Sequence, residues 1–119
     1  MNFKLNLLLV AAIGAPIVSL TTTSVLAQSG VASVYSTREG STKTASGIRL
    51  NDNALTAAHK SLPFGSKVRV TNRKNGKSVV VTITDRGPFV RGRVIDVTPA
   101  GARALGFSGL ASVTLNPGG

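Results

Sequence analysis

The sequence has few acidic residues, no cysteine and a single histidine, and each shortage excludes a class of chemistry. Its 119 residues contain 4 Asp plus Glu against 14 Lys plus Arg, too few carboxylates for a metal cage built from several of them. The absence of cysteine excludes thiol catalysis, thiolate zinc sites, disulfides and lipid attachment to a cysteine. One histidine rules out a multi-histidine metal site. We therefore expect neither a metal nor a cofactor.

The four carboxylates also restrict how the protein could cleave a substrate. They are Glu39, Asp52, Asp85 and Asp96. Ordinary glycoside hydrolysis uses two carboxyl groups, and Asp85 and Asp96 could supply such a pair only if the fold brings them together. A cleavage in which the substrate's own hydroxyl attacks needs no activated water, so one acid/base could suffice. The composition mildly favours a lyase-type mechanism, if the protein is an enzyme.

The first 27 residues have the pattern of a secretory signal. Residues 5–20 are almost wholly apolar, and the segment ends at Ala27 with small residues at the positions that a signal peptidase reads. A membrane anchor is less favoured, because the apolar run is short and contains Gly14 and Pro16. We expect residues 1–27 to be removed and residues 28–119 to form one domain, soluble in the periplasm or cell envelope.

The excess of basic residues predicts an anionic partner. The 14 basic and 4 acidic residues, less Lys4 in the signal, leave a net charge of +9, which draws the domain towards polyanions. The export signal favours envelope polymers over nucleic acid, for which we find no helix-turn-helix, zinc or aromatic-platform pattern. A secreted antimicrobial or nucleic-acid binder acting through charge has only the composition in its support.

Apolar periodicity predicts mainly short strands. Period-2 alternation or short apolar runs place strands at residues 30–36, 67–72, 78–84, 93–97 and 110–115. Asn75-Gly76 predicts a tight hairpin. Residues 51–53 predict the cap of a helical turn over 54–59, and Thr98, Pro99 and Gly106 bound a short helix over 100–105. Five or six strands with one or two short helices suggest a small β-barrel, since closing a sheet removes its exposed edges.

Position alone gives three candidate residues for chemistry. Asp85 follows a strand and begins a Gly-Pro turn, where it either projects into a cleft or bonds turn N–H groups and Arg86. Asp96 lies inside an apolar strand, so it is either buried and hydrogen-bonded or lines a groove, and structural use is favoured. His59 is a lone histidine, which is more often structural than catalytic.

Eight short motifs, in this order and spacing, resemble the rare lipoprotein A family. They are GVASVY at 30–35, TASG at 44–47, LTAAH at 55–59, LPFG at 62–65, VRVTN at 68–72, NG at 75–76, DRGPF at 85–89 and GRVIDV at 92–97. The resemblance spans about residues 30–115. It implies an all-β fold, a six-stranded double-psi β-barrel with one or two short helices.

The same resemblance implies a function in the cell wall. Characterised members are endolytic lytic transglycosylases, which cleave peptidoglycan glycan strands lacking stem peptides between N-acetylmuramic acid and N-acetylglucosamine and leave 1,6-anhydro ends. It implies peptidoglycan as partner, with cell-division or envelope proteins as further candidates for a monomeric protein. By motif, Asp85 and His59 would be catalytic, and the related expansin barrels would add Asp96. The residues expected to contact substrate are Tyr35, Thr44, Ser46, Arg86 and Phe89.

One residue departs from the family pattern. After TASG the catalytically active members carry Glu, whereas this chain has Ile48, which cannot transfer a proton. The first carboxylate after it is Asp52. An alternative function is therefore a non-catalytic, expansin-like module that binds or loosens peptidoglycan.

Overall fold

The computed structural model describes residues 27–40 and 42–119. The expected signal peptide lies outside these residues except for Ala27, so its removal stays a prediction. The strands are β1 (Gln28–Val34), β2 (Thr56–Ala58), β3 (Lys67–Asn72), β4 (Ser78–Asp85), β5 (Arg93–Val97) and β6 (Leu110–Pro117), with a 3₁₀ turn at Thr37–Glu39 and one helix, α1 (Pro99–Leu105). No helix in the described ranges is long and apolar enough to cross a membrane.

The six strands close into one mixed barrel in the order β1-β5-β2-β4-β3-β6. The β1–β5 and β2–β4 pairs are parallel, and the other four pairs are antiparallel. Every strand thus has two neighbours, which leaves no free edge in a chain without disulfides. The predicted six-stranded β-barrel is confirmed, with a single short helix.

The barrel is filled by the inward-facing side of each strand. On β3, Val68 and Val70 are fully buried while Lys67 and Arg69 are exposed, as the two-residue period of a strand requires. Ile83 and Ile95 are fully buried in the same core. Burying each such aliphatic side chain stabilises the fold by about 1.5–3 kcal/mol. The apolar side chains that the strands turn inward therefore supply the main driving force for folding.

The predicted hairpin and short helix are both confirmed. Gly76 adopts φ 78° between β3 and β4, a conformation that costs glycine little. The Oγ1 of Thr98 accepts a hydrogen bond from the Gly101 N–H at 3.2 Å and caps α1, whose first residue is Pro99. Gly106 ends the helix in the left-handed conformation.

The prediction of a helical turn over residues 54–59 is wrong. This stretch contains β2, in which Ala57 pairs with Val97 of β5 and Ile83 of β4. The Asn51 side chain does accept the N–H of Asn53 at 2.9 Å, but in a turn rather than at a helix start. Alanine prefers helices, yet pairing on both sides of a buried strand outweighs that local preference.

Candidate functional site

The barrel brings the two candidate aspartates onto neighbouring positions. Asp96 of β5 pairs with Ala58 of β2, and Ala58 pairs with Asp85 at the end of β4. On the other side, Asp96 pairs with Ser33 of β1. Only one strand therefore separates the two aspartates, about 10 Å at the backbone. The small side chain of Ala58 between them adds little bulk.

The carboxylate of Asp85 is held on one oxygen and open on the other. Its Oδ1 accepts hydrogen bonds from the Ala45 N–H at 2.8 Å and the Arg86 N–H at 2.9 Å. No described residue donates a hydrogen bond to its Oδ2. A carboxylate oriented in this way keeps one oxygen for an external proton donor or acceptor.

The donor at Ala45 belongs to a small hairpin formed by the TASG motif. Thr44 is buried, and its hydroxyl donates to the Ile48 carbonyl and contacts the Ser46 hydroxyl at 3.0 Å. The Ser46 N–H donates to the Thr84 carbonyl at 3.2 Å and so attaches the hairpin to β4. Gly47 has φ 92°, which makes the tight turn possible. The hairpin thus positions the N–H group that binds Asp85.

The side chain of Arg86 turns away from the Asp85 carboxylate. Its Nη1 donates to the carbonyl oxygens of His59 at 3.2 Å and Asp85 at 3.4 Å. The guanidinium carbon lies 4.1 Å from the centroid of the Phe64 ring, a cation–π contact. Arg86 therefore ties the segment after β4 to the loop after β2, and only its backbone N–H binds the carboxylate.

Asp96 is engaged within the barrel wall. Its neighbours Ile95 and Val97 are fully buried in the core, so alternation turns Asp96 outward. The hydroxyl of Ser33, its strand partner, donates to Asp96 Oδ1. A fixed, half-buried carboxylate at this point provides negative charge beside Asp85.

Both ring nitrogens of His59 are already used inside the protein. Nδ1 accepts the backbone N–H groups of Ser61 and Leu62, each at 3.1 Å. Because Nδ1 is an acceptor, the ring proton of the neutral histidine is on Nε2. Nε2 lies 3.1 Å from the side-chain oxygen of Gln28 and donates a hydrogen bond to that oxygen. Burial first, and then the positive charges of Arg86 and Lys60, lower the pKa of His59. The ring orders the loop after β2, while the His59 N–H donates to the Asp85 carbonyl at 3.1 Å.

This arrangement predicts a loss of stability in mild acid. The folded protein keeps His59 neutral, whereas the unfolded chain takes up a proton near the ordinary histidine pKa of about 6.5. The stabilisation is therefore complete above that pH and is lost as the pH falls through the lowered pKa of the folded state. We expect the urea midpoint to fall between about pH 7.5 and about pH 5.5. The His59→Asn variant should show a flatter profile, and an equal slope in both proteins would contradict this explanation.

Tyr35 places a buried phenol beside both aspartates. Its N–H donates to the Val97 carbonyl at 3.0 Å, which extends β1 along β5. The hydroxyl is buried and has no hydrogen-bond partner among the described residues. Burial and the charge of Asp85 raise the pKa of Tyr35, a weak hydrogen-bond interaction with the Thr84 side chain lowers it, and Asp96 raises it further. The phenol thus stays protonated, and its hydroxyl makes no hydrogen bond of normal geometry with a described residue.

Exposed apolar side chains lie on the segments that adjoin Asp85. Ile48 is 57% exposed on the TASG hairpin, and Phe89 is 79% exposed after the DRG turn. Phe64, under Arg86, is 42% exposed. Exposed apolar groups beside polar ones often mark a ligand groove, and aromatic faces suit the apolar faces of sugar rings.

Asp52 does not take the place of a glutamate at position 48. Its two carboxylate oxygens accept hydrogen bonds from the N–H and hydroxyl of Thr37, at 2.9 and 3.0 Å. It therefore stabilises the 3₁₀ turn after β1. The carboxylate closest in sequence to Ile48 is thus committed to another part of the structure.

Sequence comparison identifies this barrel. A sequence model of the family described as lytic transglycolase matches residues 27–115, which include all the site residues above. The chain belongs to the lytic transglycolase family. The resemblance predicted from the eight motifs is thereby confirmed.

Curated relatives of this lytic transglycolase domain are longer proteins. A probable endolytic peptidoglycan transglycosylase RlpA from Nostoc sp. is 57% identical over 90 residues, which cover 72% of this chain and 24% of that protein. The endolytic peptidoglycan transglycosylase RlpA of Neisseria meningitidis serogroup A is 58% identical over 80 residues, covering 67% of this chain and 34% of that protein. The chain thus spans about a quarter to a third of the length of these relatives.

Solved structures share the fold of the domain at low sequence identity. The expansin of Clavibacter michiganensis superimposes with a TM-score of 0.61 at 22% identity, covering 77% of this chain and 50% of that chain. A Streptomyces papain inhibitor gives a TM-score of 0.60 at 19% identity, covering 79% of this chain and 96% of that chain. At such identities the likeness establishes the barrel alone.

The structure brings some of the predicted site residues together and leaves others apart. It brings Asp85, Asp96 and Tyr35 together. The Arg86 side chain turns away towards Phe64, the Phe89 side chain is exposed after the DRG turn, and the Thr44 hydroxyl is used inside the hairpin. The assignments to catalysis and substrate binding stay predictions. Sequence reasoning missed Ser33 as the partner of Asp96, although period 2 puts both on outward faces, and it missed Phe64 under Arg86.

Proposed function

We propose that this domain is an endolytic peptidoglycan lytic transglycosylase that acts on glycan strands lacking stem peptides. Family membership supports the reaction type, and the observation that carries the proposal is the half-open Asp85 carboxylate beside Asp96 and Tyr35. We further propose that the chain is exported and works as a monomer on peptidoglycan in the periplasm or cell envelope.

In the proposed reaction, Asp85 transfers protons and the substrate supplies the nucleophile. The protonated Asp85 donates its proton to the oxygen that links N-acetylmuramic acid to N-acetylglucosamine, and the bond from this oxygen to the muramic C1 breaks. The muramic 6-hydroxyl then bonds to C1 and returns its proton to Asp85. No water is consumed, so the product carries a 1,6-anhydro end. One acid/base is sufficient for this sequence.

The neighbouring residues have supporting roles in this proposal. Asp96 provides negative charge next to the positive charge that develops at C1. Tyr35 places a neutral, buried phenol beside the two carboxylates and does not itself reach the substrate. His59 acts through position, because its ring orders the loop after β2 and its N–H holds the Asp85 backbone.

Mass spectrometry of the products tests the proposal directly. Purified protein is incubated with sacculi whose stem peptides have been removed by an amidase. Fragments with anhydro ends, one water lighter than hydrolysis products, are expected. Fragments with ordinary reducing ends would show a hydrolase instead.

A non-catalytic peptidoglycan-binding module is the second candidate. The observation that favours it is Ile48, whose exposed side chain cannot transfer a proton. This candidate predicts that the protein pulls down with sacculi, that salt weakens this binding, and that no soluble fragments form. Anhydro ends produced by the wild-type protein would eliminate it.

Removing the Tyr35 hydroxyl should stabilise the protein and leave the reaction rate nearly unchanged. A buried hydroxyl without a partner costs about 1–3 kcal/mol, so Tyr35→Phe is expected to raise the free energy of unfolding by about 1 kcal/mol. The same variant should form anhydro ends at close to the wild-type rate, because the buried hydroxyl does not reach the substrate. Urea denaturation and product analysis measure the two effects. Lower stability would show that the hydroxyl is bonded in the free protein, and a large loss of turnover would show that it takes part in the reaction.

A further inference from the structure

A preformed pocket lies between the β3–β4 hairpin and the loop that joins α1 to β6. Asn72 and Asn75 each donate their side-chain N–H to the Leu105 carbonyl, at 2.9 and 3.0 Å. The Arg73 N–H donates to the Ser112 carbonyl at 2.9 Å. These bonds fix the hairpin against the end of α1 and the start of β6. The space they enclose has a volume of about 530 Å³, which suits a small ligand.

The pocket combines apolar surface with uncommitted polar groups. Phe107 is half-buried, and Leu110 is 56% exposed at its rim. The hydroxyls of Ser108 and Ser112 and the ammonium of Lys74 make no hydrogen bond to another described residue. An apolar wall with hydroxyl and ammonium donors around it can bind a sugar ring, whose faces are apolar and whose edges are polar.

The charge around the pocket favours an anionic ligand. Arg73, Lys74 and Lys77 all belong to the hairpin, and none of the described residues that line the pocket has a carboxylate side chain. Asp85 is at the opposite end of the eight-residue β4, about 25 Å along the strand from the hairpin. A ligand that carries a carboxylate would therefore be attracted here and would meet no acidic side chain in the pocket.

We propose that this pocket is a second glycan site, which binds an N-acetylated amino sugar bearing a carboxylate, such as the muramic acid unit of a stripped glycan strand. Lys74 binds the carboxylate, Ser108 and Ser112 bind ring hydroxyls, and Phe107 and Leu110 contact the apolar face. The identity of the ligand rests on the proposed function, whereas the pocket itself does not depend on Asp85. A strand held here stays near the barrel, which raises its effective concentration at the first site.

Titration with a soluble disaccharide of N-acetylglucosamine and N-acetylmuramic acid tests the site. The Asp85→Asn variant is used so that no cleavage interferes, and amide NMR shifts are expected at residues 107–112 and in the hairpin. Lys74→Gln should weaken binding about tenfold, the usual size of one lost charge-assisted hydrogen bond. Lys67→Gln, which removes the same charge from the other end of β3, should bind like the parent. The neutral disaccharide of N-acetylglucosamine should bind more weakly than the charged one.

Each alternative outcome overturns the proposal in a recognisable way. Equal weakening by Lys74→Gln and Lys67→Gln would indicate general charge attraction without a site. Equal affinity for the neutral disaccharide would remove the carboxylate from recognition. Shifts confined to Tyr35 and Asp85 would mean that only the first site binds glycan, and shifts in the pocket with polyphosphate alone would identify a phosphate polymer as the ligand.

The outcome is separable from that of the proposed function. Leu110→Asp, which puts a carboxylate at the rim of the pocket, should abolish the NMR shifts there. Anhydro ends formed by the wild type without pocket shifts would support the reaction and contradict the second site. Pocket shifts without anhydro ends would support the second site and contradict the transglycosylase.

Discussion

Asp85→Asn is expected to lower the rate of anhydro-end formation by about 10²–10⁴-fold, the usual contribution of a general acid/base. Asparagine keeps the side-chain oxygen that accepts the Ala45 and Arg86 N–H groups, so the TASG hairpin should remain in place. What is lost is the exchangeable proton on the other oxygen. Product analysis on stripped sacculi measures the rate, and circular dichroism verifies the fold.

Two further variants make this expectation specific. Asp52→Asn removes the same charge from the 3₁₀ turn, where the carboxylate is bound by Thr37, and should leave the rate close to that of the wild type. Asp96→Asn keeps an acceptor for the Ser33 hydroxyl and should slow the reaction less than Asp85→Asn does. If Asp85→Asn retained more than about a tenth of the wild-type rate, Asp85 could not be the acid/base.

Ile48→Glu is expected to increase the rate by about tenfold or more, because it adds a second proton-transferring group on the hairpin that binds Asp85. Position 48 closes the hairpin whose Ala45 N–H binds the Asp85 carboxylate. The Ile48 side chain is 57% exposed, so the replacement should change the free energy of unfolding by no more than about 0.5 kcal/mol. Initial rates on stripped glycan strands measure the gain.

Ile48→Gln provides the matched control. It has nearly the shape of Ile48→Glu but no exchangeable carboxyl proton, so its rate should stay near that of the wild type. An equal increase of the rate in Ile48→Glu and Ile48→Gln would show that a polar side chain at position 48, and not proton transfer, causes the gain. Activity that appears only with Glu, and is absent in the wild type, would support the binding-module alternative for the natural chain.

The elements that the sequence predicted well are those in which local and long-range preferences agree. In β3, the alternation of Lys67, Val68 and Arg69 matches both strand geometry and the barrel interior. The Thr98 cap and Gly106 stop of α1 are local hydrogen-bond and φ requirements, visible in a few adjacent residues. The prediction for residues 54–59 is wrong because Ala57 and Ala58 show no apolar alternation that would indicate a strand. They form one because they pair with β4 on one side and β5 on the other.

The sequence by itself determined which groups were available for chemistry: four carboxylates, one histidine and no cysteine. It also showed the motifs of the family and the isoleucine at position 48. Only the tertiary structure decided how these groups are used, since hydrogen bonds between residues far apart in sequence set their orientation. The Ala45 N–H binds one carboxylate oxygen of Asp85, and the Ser33 hydroxyl donates to Asp96. The His59 ring accepts a backbone N–H group from the loop after β2. Such partners cannot be read from spacing, because the closed barrel brings them together.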